Sequence, residues 1–255
     1  MRERDSQIAS NLVEQGRDLL DAPPVIVEFT RDEGADRLLN DLETYPHAFV
    51  IACLMDRQMK AERAWVIPFR LSERLGGFEF ARLETLTQEQ VHELMTKPTP
   101  LHRLGKAVSA PLYMAIRLIR DRYEGDAARI WEGQPSSAMV VYRFLEFSGI
   151  GPKIATMAAN ILARHFKIPM SDHHSIDISA DVHIRRVFTR LGLVERNCPL
   201  ESIVYRARAL HPEFPGLLDL PCWEIGRKWC MPRVPLCESC PMHELCPTAA
   251  NLNHA

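Results

Sequence analysis

Four of the chain's seven cysteines fall within seventeen residues, in the pattern Cys230-x6-Cys237-x2-Cys240-x5-Cys246. Four thiolates this close can satisfy one tetrahedral metal or one four-iron cluster. Pro232, Pro235 and Pro241 interrupt any continuous helix between them and favour a loop wrapped around a central object. Cys237-Glu238-Ser239-Cys240 has the form of half a zinc site, but a zinc ribbon pairs two such knuckles and only one is present here. Cys53 lies in an apolar run and reads as a small core residue, while Cys198 and Cys222 have no evident partner.

Upstream, Ser148-Gly149-Ile150-Gly151-Pro152-Lys153 joins two apolar-periodic stretches. Pro152 suits the first turn of a helix, where no backbone N–H is needed. Beyond it Ile154, Met157, Ala158, Ile161 and Leu162 recur on one helical face, and before it Met139, Val140, Phe144 and Leu145 do the same. The unit is helix, Gly-Ile-Gly, helix. Glycines allow a backbone to approach a phosphate closely, and the second helix offers its free N–H groups, although a plain inter-helix turn has the same pattern. Lys153 sits in the first turn, where the helix dipole disfavours a positive charge. A neutral amine is the nucleophilic form, the other reading being a surface lysine near phosphate. Asp181, ahead of Val182-His183-Ile184-Arg185-Arg186-Val187, is placed to cap a helix. A carboxylate there can also stabilise a developing positive centre.

The elements that must hold these groups are helical. The 255 residues are 46% apolar and 25% charged, which excludes a disordered or collagenous chain. Helices are expected over 3–20, 33–44, 47–58, 60–75, 87–96, 106–123 and 136–147, with Val25 to Phe29 a short strand or merely extended. No βαβ alternation, repeat or 20-residue apolar run occurs, so the fold class is all-α and no membrane span is expected. The charged start and the thiol-rich composition lead to a cytoplasmic expectation. The net charge is −2, yet residues 143–233 carry 13 basic and 9 acidic side chains, a local excess that suits phosphate.

Together the cysteine spacing, the Trp223-Glu224-Ile225-Gly226-Arg227-Lys228-Trp229 stretch before it and the Gly-Ile-Gly-Pro-Lys hairpin resemble the endonuclease III family of helix-hairpin-helix DNA glycosylases. The resemblance is strong over residues 144–246, extends to about residue 35, and leaves residues 1–30 unmatched. It implies a two-domain fold: a six-helix barrel at 48–165, with the helix-hairpin-helix at 137–165, and a cluster domain from 1–47 and 166–255. It implies a [4Fe–4S] cluster on Cys230, Cys237, Cys240 and Cys246 in the loop 230–246, and a monomer acting on double-stranded DNA with a damaged base or abasic site.

By the same resemblance Lys153 is the Schiff-base nucleophile of a glycosylase with lyase activity, and Asp181 assists base loss. Gly149, Ile150 and Gly151 anchor the DNA backbone, Gln58 fills the space of an everted base, and Arg233 is the cluster loop's one cation. A monofunctional glycosylase, or a non-catalytic iron–sulfur DNA-binding protein, is the alternative. Lys153 and Asp181 are farther apart in sequence than the family pattern, the extra residues being 170–178. That segment, with His173, His174 and Asp177, reads as a solvated loop that could shape substrate choice, and Asp177 is the runner-up to Asp181.

Overall fold

Capping residues and prolines divide the chain into fourteen α-helices and four short 3₁₀ turns, with no strand among the described residues. The computed structural model describes residues 3–252; Met1 and Arg2 of the charged start and residues 253–255 lie outside them. In chain order the helices are α1 (Glu3–Asp21), α2 (Glu33–Asn40), α3 (Pro46–Met55), α4 (Ala61–Trp65), α5 (Ile67–Leu75), α6 (Phe80–Leu83) and α7 (Gln88–Thr96), then α8 (Gly105–Arg122), α9 (Ser137–Leu145), α10 (Pro152–Arg164), α11 (Val182–Arg190), α12 (Leu200–Leu210), α13 (Asp219–Lys228) and α14 (Pro247–Leu252). The all-α expectation holds.

Local chemistry explains the boundaries. Asp32 caps α2 by accepting from the N–H groups of Gly34 and Ala35, and Thr87 and Gln90 close a reciprocal capping box on α7. The single helix expected over 60–75 is instead two, broken at Val66. Pro68 has no N–H to give the Ala64 carbonyl, and its ring crowds that carbonyl, so it starts a new helix rather than continuing the old one. Val25 to Phe29 is extended but pairs with no strand. The Asn40 side chain takes the place of a ladder, accepting from the Val27 N–H at 2.9 Å and donating to the Val27 carbonyl at 3.0 Å, while Phe29 stacks on Trp65 at 4.4 Å.

Apolar side chains gather in two clusters. The first centres on α3, all ten of whose residues are buried. Phe49 there meets the rings of Trp65, Trp131, Phe144 and Phe166 at 5.5–6.4 Å. Ile154 and Leu162 of α10 complete this cluster, and Leu39, Ile176, Phe214 and Leu217 join it from elsewhere in the chain. The second cluster combines Ile8 and Leu12 of α1 with Ile184, Val187 and Phe188 of α11, Ile203 of α12 and Ile225 of α13. No helix among the described residues is long and apolar enough to cross a membrane.

Candidate functional site

The glycine hairpin is held from below. Phe144 and Phe147 are buried, and the Ile150 N–H donates to the Phe147 carbonyl at 2.9 Å. Ile150 is only 6% exposed, so its side chain serves the core. Gly149 has φ +92°, and a Cβ added there would lie 2.3 Å from Arg57 Nη1 and 3.4 Å from Leu54 Cδ1. That position therefore demands glycine for its conformation, and a side chain there would also have to displace the tip of Arg57. Gly151 differs: it is the N-cap of α10 at φ −98° and ψ 177°, with nothing within 4 Å of an added Cβ. Its open surface matters only to something outside the chain. Pro152 opens α10, and Lys153 follows it, exposed, with no ion pair or side-chain hydrogen bond among the described residues.

Asp181 caps α11 as expected, its Oδ1 accepting from the His183 N–H at 2.8 Å and the Ile184 N–H at 2.9 Å. A second carboxylate supports the approach to it. Asp219, in the first turn of α13, accepts from the Ser179 N–H at 2.5 Å, two residues before Asp181. Burial pushes the Asp219 carboxyl up to about 6, against the Ser179 N–H and the buried Arg164 guanidinium, which lower it, while the Asp181 charge adds to the rise.

Lys153 and Asp181 converge on a third group. Burial raises the carboxyl of Asp56, just past the C-terminus of α3; Lys153 lowers it and Asp181 raises it again, so all three lie within electrostatic reach of one another's neighbourhood. Asp56, Arg164 and Asp219 carry no motif of their own. The one signal for Asp56 is its place: the first charge after twelve uncharged residues, two positions before Gln58.

Gln58 occupies a turn with φ +53° and is exposed; its carbonyl accepts from Arg103 at 2.9 Å. Arg233 is exposed on the cysteine loop, with no ion pair among the described residues. Asp177 is not at this site, since Arg208 holds both of its oxygens at 2.7 Å. The segment 170–178 is not a free solvated loop. Ile176 is fully buried, its carbonyl accepts from the Gly216 N–H at 2.7 Å, Asp172 accepts from Ser137 Oγ, and His173 stacks on Phe214 at 4.6 Å.

The four clustered cysteines are free thiols, half-buried, and three of them pack against the second apolar cluster. Burial first, then the thiols of Cys230, Cys246 and Cys237, push Cys240 above its ordinary value, and Cys237 likewise responds to burial, Cys246 and Cys230. The four therefore share one neighbourhood, although among the described residues no three such side chains converge on a single ion. The far end of α11 meets this loop: Arg190 donates to Cys230 Sγ at 3.3 Å and to the Met231 carbonyl at 2.6 Å, and Arg186 donates to the Cys230 carbonyl at 2.6 Å. The donor set, four thiols in one neighbourhood, suits a group bound by four thiolates.

No protein-family model matches the chain. Solved structures of similar fold include endonuclease III–DNA complexes and a thymine-DNA glycosylase. An endonuclease III–DNA covalent intermediate, trapped with an estranged adenine, superposes with a TM-score of 0.62 at 18% identity, over 99% of this chain and 100% of that one. A non-covalent endonuclease III–DNA complex gives 0.63 at 18% identity over the whole of both chains. A thermostable thymine-DNA glycosylase gives 0.60 at 16%, over 98% of each. The fold is thus that of the helix-hairpin-helix DNA glycosylases. By sequence the chain is similar to endonuclease III of Thermotoga maritima, which is 30% identical over 102 residues, 40% of this chain and 43% of that relative.

Proposed function

We propose that this protein is a base-excision DNA glycosylase with an associated lyase activity on abasic sites. The observation that carries the reading is an exposed lysine in the first turn after the glycine hairpin and a carboxylate at the start of α11, both within electrostatic reach of Asp56. The damaged nucleotide must leave the stack, because its glycosidic bond is inaccessible within the duplex. Gly149, Ile150 and Gly151 present backbone to a phosphate, Gln58 fills the vacated space, and Arg233 adds one cation from the cysteine loop.

In the proposed reaction, Lys153 Nζ supplies the electron pair that forms a bond to C1′. The bond from C1′ to the base breaks with its pair going to the base. Loss of the amine proton and opening of the sugar ring give an imine. Loss of a C2′ proton then expels the 3′ phosphate. Asp181 stabilises positive charge developing at the sugar. Cys230, Cys237, Cys240 and Cys246 would hold a [4Fe–4S] cluster whose contribution is to fix the loop fold rather than to break bonds.

The test is incubation with duplexes that each carry one lesion or one abasic site, with and without borohydride. A covalent adduct on abasic-site DNA supports the lyase reading. Base release without any adduct makes the protein a monofunctional glycosylase, and failure on every duplex makes it a DNA-binding protein without this chemistry.

A further inference from the structure

We propose that Asp56 is the proton donor to the departing base, a role that rests on the glycosylase reading above. Asp56 follows the buried helix α3, and its neighbours Leu54 and Arg57 lie directly beneath Gly149, so this part of the chain underlies the hairpin that launches Lys153. The charged and titratable groups around it are Lys153 on α10, Asp181 at the start of α11, and Cys53 and Arg57 on its own segment. His102 packs behind, its Nε2 3.2 Å from the Met55 carbonyl.

The two carboxyls of this cluster are held differently. Asp181 Oδ1 takes two backbone N–H donors, at 2.8 and 2.9 Å, which commit that oxygen to accepting. The Asp56 carboxyl takes no hydrogen bond from the described residues, is partly buried, and has the Asp181 charge nearby. Environments that separate two carboxyls in this way divide labour between an acid and a charge-stabilising anion. Burial, the largest influence, holds the Asp56 proton to higher pH, and Asp181 adds to this while Lys153 opposes it.

The step balances. The bond from C1′ to the base breaks with its electrons going to the base nitrogen, and the Asp56 O–H delivers its proton to the base. Lys153 Nζ forms the new bond to C1′, and the proton that nitrogen sheds passes to solvent water, from which Asp56 regains its own. An abasic site has no base to lose, so a donor to the base is dispensable there.

The experiment compares wild type with Asp56→Asn, which keeps size and polarity but has no acidic proton. Two single-turnover assays are run: base release from a panel of duplexes bearing dihydrouracil, 8-oxoguanine, or uracil or thymine opposite guanine, and borohydride trapping on a ready-made abasic-site duplex. The expected result is base release slower by about 10²–10⁴-fold on whichever lesion the wild type processes, with trapping within about threefold. Base release at the wild-type rate overturns the proposal, and so does an equal loss in both assays, which assigns Asp56 to positioning Lys153. Should the variant not fold, the wild-type pH profile decides. Base release must fall at high pH as a carboxyl loses its proton, with no matching fall in trapping, and a profile without that difference overturns the proposal. A wild type that releases base but traps nothing counts against Lys153 as nucleophile, while the base-release comparison still decides the role of Asp56.

Discussion

The two hairpin glycines should fail in opposite ways. Gly149 holds φ +92°, where an L side chain costs about 1–2 kcal/mol. In Gly149→Ala the new Cβ would also sit 2.3 Å from Arg57 Nη1. That nitrogen is buried and has no hydrogen-bond partner, so displacing it breaks no bond but does disturb packing. The total should be about 1–3 kcal/mol, or roughly 3–10 °C in Tm for a protein of this size. Gly151 lies at φ −98° and ψ 177° with open space around it, and threonine caps helices about as well as glycine. Gly151→Thr should therefore stay within about 0.5 kcal/mol of wild type. It places a branched side chain where a phosphate must come. Losing one charge-assisted hydrogen bond costs about 1.5–3 kcal/mol, so DNA affinity should drop about 10–100-fold. Thermal melts and anisotropy titrations on one abasic-analogue duplex at fixed salt measure both. If Gly151→Thr binds like wild type, or melts as low as Gly149→Ala, the assignment of that open face to phosphate is wrong.

Other predictions address the remaining parts. His47 is buried, its Nε2–H donates to the Phe78 carbonyl at 2.7 Å, and burial lowers it from 6.5 to about 4. It is neutral in the folded protein, so its contribution is intact above pH 6.5 and is lost as pH falls towards 4. Relative to His47→Gln, wild type should lose about 2–3 kcal/mol between pH 7.5 and 4.5 in urea denaturation, and a pH-independent difference would count against this. Asp181→Asn should preserve stability within about 0.5 kcal/mol, because Asn caps as well as Asp, yet slow base release by about 10²–10⁴-fold. A mere cap would leave both unchanged. Anaerobically purified protein should contain iron and absorb broadly near about 400 nm, with Cys240→Ser losing the colour and cooperative unfolding together. One zinc and no iron would refute the cluster assignment.

Local signals carried much of this architecture. The apolar spacing on both sides of Gly149-Ile150-Gly151 defined α9 and α10, and Asp181 read as a cap because capping depends on neighbours two and three residues away. The break at Val66 was also local, but Pro68 sat inside an otherwise convincing helical pattern and went unread. Asp56 and Asp219 were illegible for a different reason. Each acquires its character from groups distant in sequence, Lys153 and Asp181 for Asp56 and Ser179 and Arg164 for Asp219, which only the tertiary fold brings together. The segment 170–178 misled because polar residues such as Asp172 and Asp177 suggest solvent. Here their charges are taken up by Ser137 and Arg208 while Ile176 turns inward.

The central claim is that Lys153 attacks the sugar carbon of an abasic or damaged nucleotide. The most direct measurement is borohydride trapping on an abasic-site duplex, followed by proteolysis and mass spectrometry of the cross-linked peptide, in wild type and Lys153→Gln. The account predicts an adduct mapped to Lys153 in the wild type and none in the variant, with DNA affinity changed by less than about tenfold because one cation is a small part of the phosphate-directed total. An adduct mapped to another residue, or trapping that survives in Lys153→Gln, would contradict it.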